Sequence, residues 1–342
     1  MVLSSREHGA YGTVEIELQF STADHDAQQT IVLDVATARR ETYPLPAGKP
    51  QIYFAGLDDD LARRDFTINA MALLLDGSSQ LLDPHGGQID LAQRQLRFLH
   101  HYSLRDDPSR VLRAARYAAR LKFQLAEASL AELHHTLEDW PWFWIHGDPP
   151  EHAPPALGAR LRMELELLLE HEPWPQALEA LQSWGGLVLL DPGLQSDVHW
   201  RRRLRWASRL KLPLLLALVL GADDPLALAK RLQLPQRQLR LLQAFVGLRA
   251  MLGNTREELS FRNARDWTRW IEGLAISPDV VALALAASVG PRRPFLRWWF
   301  RWRHCRAAAT AQELIAWGVP VGPEVGRHLR ELRDERLLEE RV

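Results

Sequence analysis

Asp59-Asp60-Leu61-Ala62-Arg63-Arg64-Asp65-Phe66-Thr67-Ile68-Asn69-Ala70-Met71-Ala72 opens the charged, apolar-patterned run around which the chain is organised. It continues through Leu82-Asp83-Pro84-His85-Gly86-Gly87-Gln88-Ile89-Asp90-Leu91 and closes with Asp106-Asp107-Pro108-Ser109-Arg110-Val111-Leu112-Arg113-Ala114-Ala115-Arg116. In the last block Arg110, Arg113 and Arg116 recur at helical spacing, which makes a ridge along one side of a helix. Asp106 and Asp107 stand at its N-terminal end, where the macrodipole favours carboxylates. Leu112, Ala115 and Ala119 can cover the core side. In the first block Leu61, Phe66, Ile68, Met71, Ala72 and Leu75 fit a helical period. That places Arg63, Arg64 and Asp65 at the start of a helix and Asn69 along one face. Leu81-Leu82-Asp83 reads as a short strand and Pro84-His85-Gly86-Gly87 as a turn, with His85 a turn residue rather than a base.

The three blocks resemble, in order and spacing, the "DLxRRDFTINAMA", "DPxGGxxDL" and "(E/D)DPxRxxRAxR" motifs of the class II tRNA nucleotidyltransferases. These are the CCA-adding enzymes, with the closely related bacterial poly(A) polymerases. The resemblance reaches both ways along the chain. His8-Gly9-Ala10-Tyr11-Gly12-Thr13 is similar to the family's "HxxFGT", and Leu33-Asp34-Val35-Ala36-Thr37-Ala38-Arg39-Arg40-Glu41-Thr42-Tyr43 to its "IDxATARxExY". The leucine-rich helix at 157–169, with Arg160 and Glu164, resembles "ERIxxEL", although Ala159 stands where the family has Glu. Residues 314–327 resemble the tail signature "LxxxGxxxGPxxG" before a last helix.

A chain of 342 residues predicts two or more packed units. With 46% hydrophobic and 25% charged residues its composition is that of an ordinary soluble protein. A net charge of −1 gives no global basic field, so any nucleic-acid surface must be a local patch. The single cysteine, Cys305, excludes an internal disulfide and a Cys-rich zinc site and suits a reducing cytoplasm. The N-terminus lacks a basic-then-apolar leader, and no run approaches the ~20 apolar residues that span a bilayer. The expectation is a cytoplasmic protein without a membrane.

Residues 1–57 read as β. Thr13 to Phe20 alternates apolar and polar residues, as a half-buried strand does. The polar segment 21–29 reads as a connection, Thr30 to Ala38 as a second strand, and Pro44, Pro46, Gly48 and Pro50 as breaks. Here the sequence departs from the family, whose members begin with a Gly-Gly-x-Val-Arg-Asp turn and an Asp-x-Asp pair that holds two metal ions. Nothing before His8 supplies either. Asp24-His25-Asp26 falls after the "FGT" position and reads as a solvated turn. Nucleotidyl transfer in the family implies two Mg²⁺ ions ~3.5–4 Å apart, which need several carboxylate oxygens. Asp34 is a candidate additional carboxylate or an outward-facing strand residue, and alone cannot hold a metal pair. The chain therefore reads as a family member without its first segment.

The resemblance also assigns roles. Arg64, with Arg63, would meet the nucleotide triphosphate and Asn69 the ribose; the competing reading is a solvated face with ion pairs worth a few tenths of a kcal/mol each. Asp107 and Arg110 would act as an amino-acid template. A carboxylate accepts from the exocyclic amine that CTP and ATP share, whereas UTP offers a carbonyl there. Such a bidentate contact is worth roughly 1–3 kcal/mol of discrimination. Arg113 and Arg116 would be further nucleotide contacts; a capped helix with exposed charges is the alternative. Arg160 and Glu164 brace the pocket or form an ordinary ion pair.

Beyond Phe123 the chain reads as all-α, after a Pro- and Trp-rich break at 140–155. Apolar helices are expected at 174–190, 204–220, 225–234 and 237–252. Residues 200–211 carry five arginines and Lys211 with no acid, and 292–306 carry six arginines among aromatics. Each cluster either neutralises RNA phosphates or solvates the outer side of a buried helix. The better candidates for tRNA are Arg292, Arg293, Arg297, Arg301 and Arg303. No internal repeat and no His-Asp phosphohydrolase motif is visible.

The expected architecture is α+β: an N-terminally incomplete nucleotidyltransferase β-sheet head (1–97), a helical neck with the nucleotide-selecting motif (98–172), and an all-α body and tail that bind tRNA (173–342). The implied activity is addition of C and/or A to the tRNA 3′ end from CTP and ATP, with Mg²⁺ implied by the family. Two alternatives stay open. One is a non-catalytic RNA- and nucleotide-binding remnant, or half of a split enzyme whose separate polypeptide supplies the missing motifs. The other is a poly(A) polymerase.

Overall fold

The alternating run at Thr13 does become a strand, and its neighbours extend it into a sheet. β1 (Val2–His8), β2 (Thr13–Thr22) and β3 (His25–Ala36) pair antiparallel in that order. The computed structural model describes residues 2–8, 12–22, 25–254 and 261–340, so Gly9–Tyr11 and Asp24 lie outside the described residues. The polar segment expected to be a connection is largely strand, with Phe20 opposite Gln29 and Ser21 opposite Gln28. A ladder needs only backbone groups, so polar side chains at a hairpin end do not stop it.

Two compact units emerge: Met1–Asp148 with His152–Leu189, and Pro149–Glu151 with Leu190–Val342. In the first, β4 (Arg39–Thr42) and β5 (Gln51–Phe54) form a hairpin, and α1 (Leu57–Ala62) follows. The helix expected through Met71 stops there. Phe66 is extended (φ −132°, ψ 149°), Thr67–Asn69 is a single 3₁₀ turn, and β6 (Ala72–Leu73) pairs with β7 (Leu81–Leu82). The reason is tertiary. Phe66 is fully buried, bridges Phe98, stacks on its ring at 5.5 Å and meets Tyr117 edge-on at 5.6 Å. Burying an aromatic among aromatics outweighs a local period; Leu75, which that period placed inside, is 93% exposed.

α2 (Gly87–Gln93) starts at the Gly-Gly pair. Asp83 accepts the Gly87 and Gln88 backbone N–H groups at 2.6 and 2.9 Å, and these donors hold its carboxyl below the usual carboxylate range. A Cβ on Gly87 would lie 2.4 Å from the Thr67 carbonyl oxygen. We expect Gly87→Ala to cost about 1–3 kcal/mol, read as a lower thermal midpoint; an unchanged midpoint would mean that this contact relaxes freely.

β8 (Gln95–Leu96) and β9 (Gln124–Leu125) pair in parallel. Between them lie α3 (Ser103–Asp106) and α4 (Arg110–Leu121). Leu112 and Ala115 are fully buried on α4, as its apolar side requires. α5 (Glu127–Asp139), α6 (Ala159–His171) and α7 (Trp174–Ser183) complete the unit. The tryptophan-rich break packs inward: Trp142 donates to the Arg105 carbonyl at 3.0 Å, and a ring nitrogen of His146 lies 2.8 Å from the Val188 carbonyl.

The second unit is helical: α8 (Pro192–Ser196), α9 (Trp200–Arg209), α10 (Leu214–Val219), α11 (Pro225–Arg231), α12 (Gln236–Asn254), α13 (Ala264–Gly273), α14 (Pro278–Ala287), α15 (Arg292–Phe300), α16 (Ala311–Ala316) and α17 (Pro323–Glu339). The expected helix at 204–220 is two helices, because Lys211 turns left-handed (φ 57°) ahead of Pro213. α14 is buried from Val280 to Ala286 and forms the centre of this unit. Around α16 and α17, Ala309, Leu314 and Val325 form a small cluster of their own. Among the described residues no single helix is long and apolar enough to cross a membrane.

Candidate functional site

Between α3 and α4 the chain turns at Asp107-Pro108-Ser109, and this turn sets the site. Asp107 Oδ1 accepts the Ser109 N–H at 3.0 Å and the Ser109 hydroxyl, an Asx turn that feeds α4. Its Oδ2 accepts from Arg160 Nη1 of α6 at 3.0 Å. Arg110, one turn on, is only 3% exposed. Its Nε donates to Asp65 Oδ1 at 2.8 Å, its Nη1 to the Ser103 carbonyl and hydroxyl at 3.0 and 3.1 Å, and its Nη2 to the Arg63 carbonyl at 3.3 Å. A guanidinium has five N–H donors, so these bonds leave one for a ligand.

The arginine ridge is thus less open than its spacing suggests. Asp65 Oδ2 accepts from Arg113, which also donates to Glu164 at 2.9 Å. Arg116 bonds Glu164 and, at 3.4 Å, Glu172; Arg120 bonds Glu172 as well. Carboxylates on and just after α6 therefore zip the ridge to that helix. Burial pushes the Asp65 carboxyl up, but the Arg113 and Arg110 charges outweigh it and hold the group below the usual carboxylate range.

A cavity of about 790 Å³ opens onto this network. Of the residues expected from sequence, Arg63, Arg64, Asn69, Asp107, Arg110 and Arg113 line it. Arg116 does not: its guanidinium is turned to Glu164 and Glu172. Arg63 is tied to Asp60 at 2.8 Å and Glu41 at 3.1 Å, whereas Arg64 holds Asp60 with one nitrogen and stays half-exposed. Sequence reasoning passed over Arg39, Tyr43 and Lys49, which also line the cavity. Tyr43 and Lys49 flank the Pro44–Gly48 stretch, whose prolines and glycine signal only a break. Burial pushes the Tyr43 hydroxyl up to about 12, so it stays a neutral donor, and it bonds Glu41 at 3.2 Å.

Behind the Asp107 turn, Glu132 of α5 accepts the Leu104 N–H, and burial raises its carboxyl to about 7. Its Oε1 is buried without a partner. A raised acid stabilises the fold below its unfolded value, near 4.3, and loses that contribution as pH rises through about 7. We expect Glu132→Gln to gain thermal midpoint relative to the parent between pH 5 and pH 8; a pH-independent difference would contradict this.

Residues 3–97 match the Poly A polymerase head domain family. The CC-adding tRNA nucleotidyltransferase of Deinococcus radiodurans is 35% identical over 303 residues, 87% of this chain and 67% of the relative. The chain belongs to the tRNA nucleotidyltransferase family. The chain also matches a relative of different nucleotide use: the A-adding tRNA nucleotidyltransferase of Halalkalibacterium halodurans is 36% identical over 197 residues, 56% of this chain and 44% of that protein. The chain thus spans less than half the length of the second relative. The Thermotoga maritima CCA-adding enzyme complexed with tRNA(CCA) superposes with a TM-score of 0.65 at 21% identity, covering 99% of this chain and 78% of that one. The nucleotidyltransferase fold, a small-sheet head followed by helices, is therefore shared.

Metal chemistry is where the described residues and the family part. Asp34 is exposed on β3, opposite Glu15 in register, and does not line the cavity. Among the described residues no group of three or more His, Cys, Asp or Glu side chains could hold a metal ion. Asp34 sits in an exposed run of β3, with Leu33 and Val35 exposed on either side of it. The donor set for a Mg²⁺ pair is not among the described residues.

The basic segment at 292–306 also divides. Arg301 lies 3.7 Å from Glu340, and Arg303 stacks 3.7 Å over the Trp299 ring. Arg297 buries an Nη1 without a partner, while Arg293 is exposed.

Proposed function

We propose that this chain selects the nucleotide and holds the RNA in tRNA 3′-end maturation, adding C and/or A from CTP and ATP with release of pyrophosphate. The observation that carries the reading is Asp107, fixed by Ser109 and Arg160 at the wall of an arginine-rich cavity beside the last free donor of Arg110. Oδ2 retains a lone pair beside its bond to Arg160, enough to accept the exocyclic amine of cytosine or adenine. UTP would set a carbonyl against the same carboxylate, at a cost of roughly 1–3 kcal/mol. Arg64 and Lys49 are the cations placed to receive the triphosphate, and Asn69 the ribose. On this reading residues 1–97 form the head, 98–172 the neck and 173–342 the tRNA-binding body and tail, in the cytoplasm.

A second reading rests on the exposed position of Asp34: the Mg²⁺-binding carboxylates come from a separate polypeptide or segment, and the described residues bind nucleotide and RNA without completing the transfer. One experiment covers both. Transcripts ending before the CCA, after C and after CC are offered CTP and ATP with Mg²⁺, with Asp107→Ala/Arg110→Ala as control. Incorporation lost in the control supports transfer by this chain, and the products separate CC, A, CCA and poly(A) synthesis. Binding of CTP and tRNA without incorporation supports the second reading; binding of neither overturns both.

A further inference from the structure

The two basic clusters read from the sequence meet at one residue. Ser288 caps the C-terminus of α14 in the left-handed region (φ 57°). Its hydroxyl accepts from Arg202 Nη2 of α9 at 2.6 Å and from Arg292 Nη1 of α15 at 3.3 Å. The Arg292 guanidinium lies 4.6 Å over the Trp206 ring, and Arg209 lies over the same ring at 5.6 Å.

Among the described residues neither Arg202 nor Arg292 has a carboxylate partner. Arg203, inside the same sequence cluster, differs: it is buried, paired with Asp197, and donates to the Ala217 carbonyl at 2.6 Å. The sequence run therefore contains one structural arginine and an exposed ridge of Arg202, Arg205 and Arg209. The carbonyl end of α14 attracts one cation, as the 3.4 Å bond from Arg292 to the Leu285 carbonyl shows. It does not account for a second guanidinium on the same hydroxyl. Two like charges this close repel unless an anion lies between them, and the serine proton remains free to be donated.

We infer that Arg202, Arg292 and Ser288, with Trp206 as a platform, form a seat for one backbone phosphate of RNA. The inference rests on the RNA partner proposed above and adds where the second unit holds it. Guanidinium forks suit phosphate oxygens, and a contact to the phosphate carries no sequence information.

The test is binding of a tRNA transcript lacking its CCA end to the full chain, from 50 to 300 mM salt. We expect Arg202→Gln/Arg292→Gln to weaken binding about tenfold at low salt and to flatten the log–log salt slope by roughly 0.7–0.9 for the lost phosphate. Ser288→Asp guards against misfolding, since aspartate tolerates this backbone and supplies an internal counter-ion. It should weaken tRNA binding equally while keeping or raising the thermal midpoint. Arg162→Gln, whose arginine pairs with Glu166 outside the body and tail, should leave the slope unchanged. Parent-like slopes in both test variants would overturn the seat and leave the RNA reading standing. A parent chain that does not bind the transcript would overturn the RNA reading and the seat together.

Discussion

Asp65→Ala is expected to lower the stability of the first unit by about 3–5 kcal/mol, a fall of roughly 6–20 °C in its thermal midpoint. The side chains of Asp65 and Arg110 are 14% and 4% exposed, and Arg113 shares the same carboxylate. Removing the acid leaves a buried guanidinium with neutral acceptors only, which is the costly half of breaking a buried pair. Replacing both partners by apolar residues, as in Asp65→Leu/Arg110→Met, should recover much of that loss while still abolishing nucleotide discrimination. The pH dependence has a fixed sign. Asp65 titrates below its unfolded value near 3.9, so its contribution is complete above that value and is lost as pH falls through the lower folded one. The gap between parent and Asp65→Ala should stay constant from pH 8 to pH 5 and shrink only in stronger acid. A loss under about 1 kcal/mol would mean that Arg110 finds water when Asp65 is absent.

Asp107→Asn should change which bases bind rather than whether the protein folds. An amide that keeps its oxygen on Ser109 gives up the bond from Arg160, at a cost of about 0.5–1.5 kcal/mol, and turns an N–H toward the O4 carbonyl of UTP. The ratio of CTP to UTP affinity, read by equilibrium dialysis, should fall by roughly 5- to 150-fold, the equivalent of 1–3 kcal/mol. An unchanged ratio would place base reading elsewhere in the cavity. Binding, unlike turnover, answers this whether or not the chain completes the transfer.

How much of this was legible in the sequence depended on the range of the interaction involved. The α4 helix announced itself through Leu112 and Ala115 on one side and arginines at helical spacing on the other, and it forms as read. Its neighbour through Phe66 and Leu75 obeyed the same period and does not form, because the contacts of Phe66 with Phe98 and Tyr117 are distant in sequence. Asp107 and Arg110 were visible as a motif. That Arg110 is nearly closed off by Asp65 and Ser103 was not, since no local pattern tells a surface guanidinium from a buried one. Glu164 and Glu172 take Arg116 out of the cavity for the same reason. Tyr43 and Lys49 were hidden in a stretch whose prolines speak of a turn and not of what the turn carries. In the second unit, Arg202 and Arg203 are adjacent and alike in sequence; helix phase alone makes one exposed and the other an internal ion pair.

The most direct test of the central claim is a crystal structure of this chain with CTP. The account predicts the cytosine amine within hydrogen-bond distance of Asp107 Oδ2, the remaining Arg110 donor on the base edge, and the triphosphate between Arg64 and Lys49. CTP bound with its base turned away from Asp107, or a cavity still empty at saturating CTP, would contradict it.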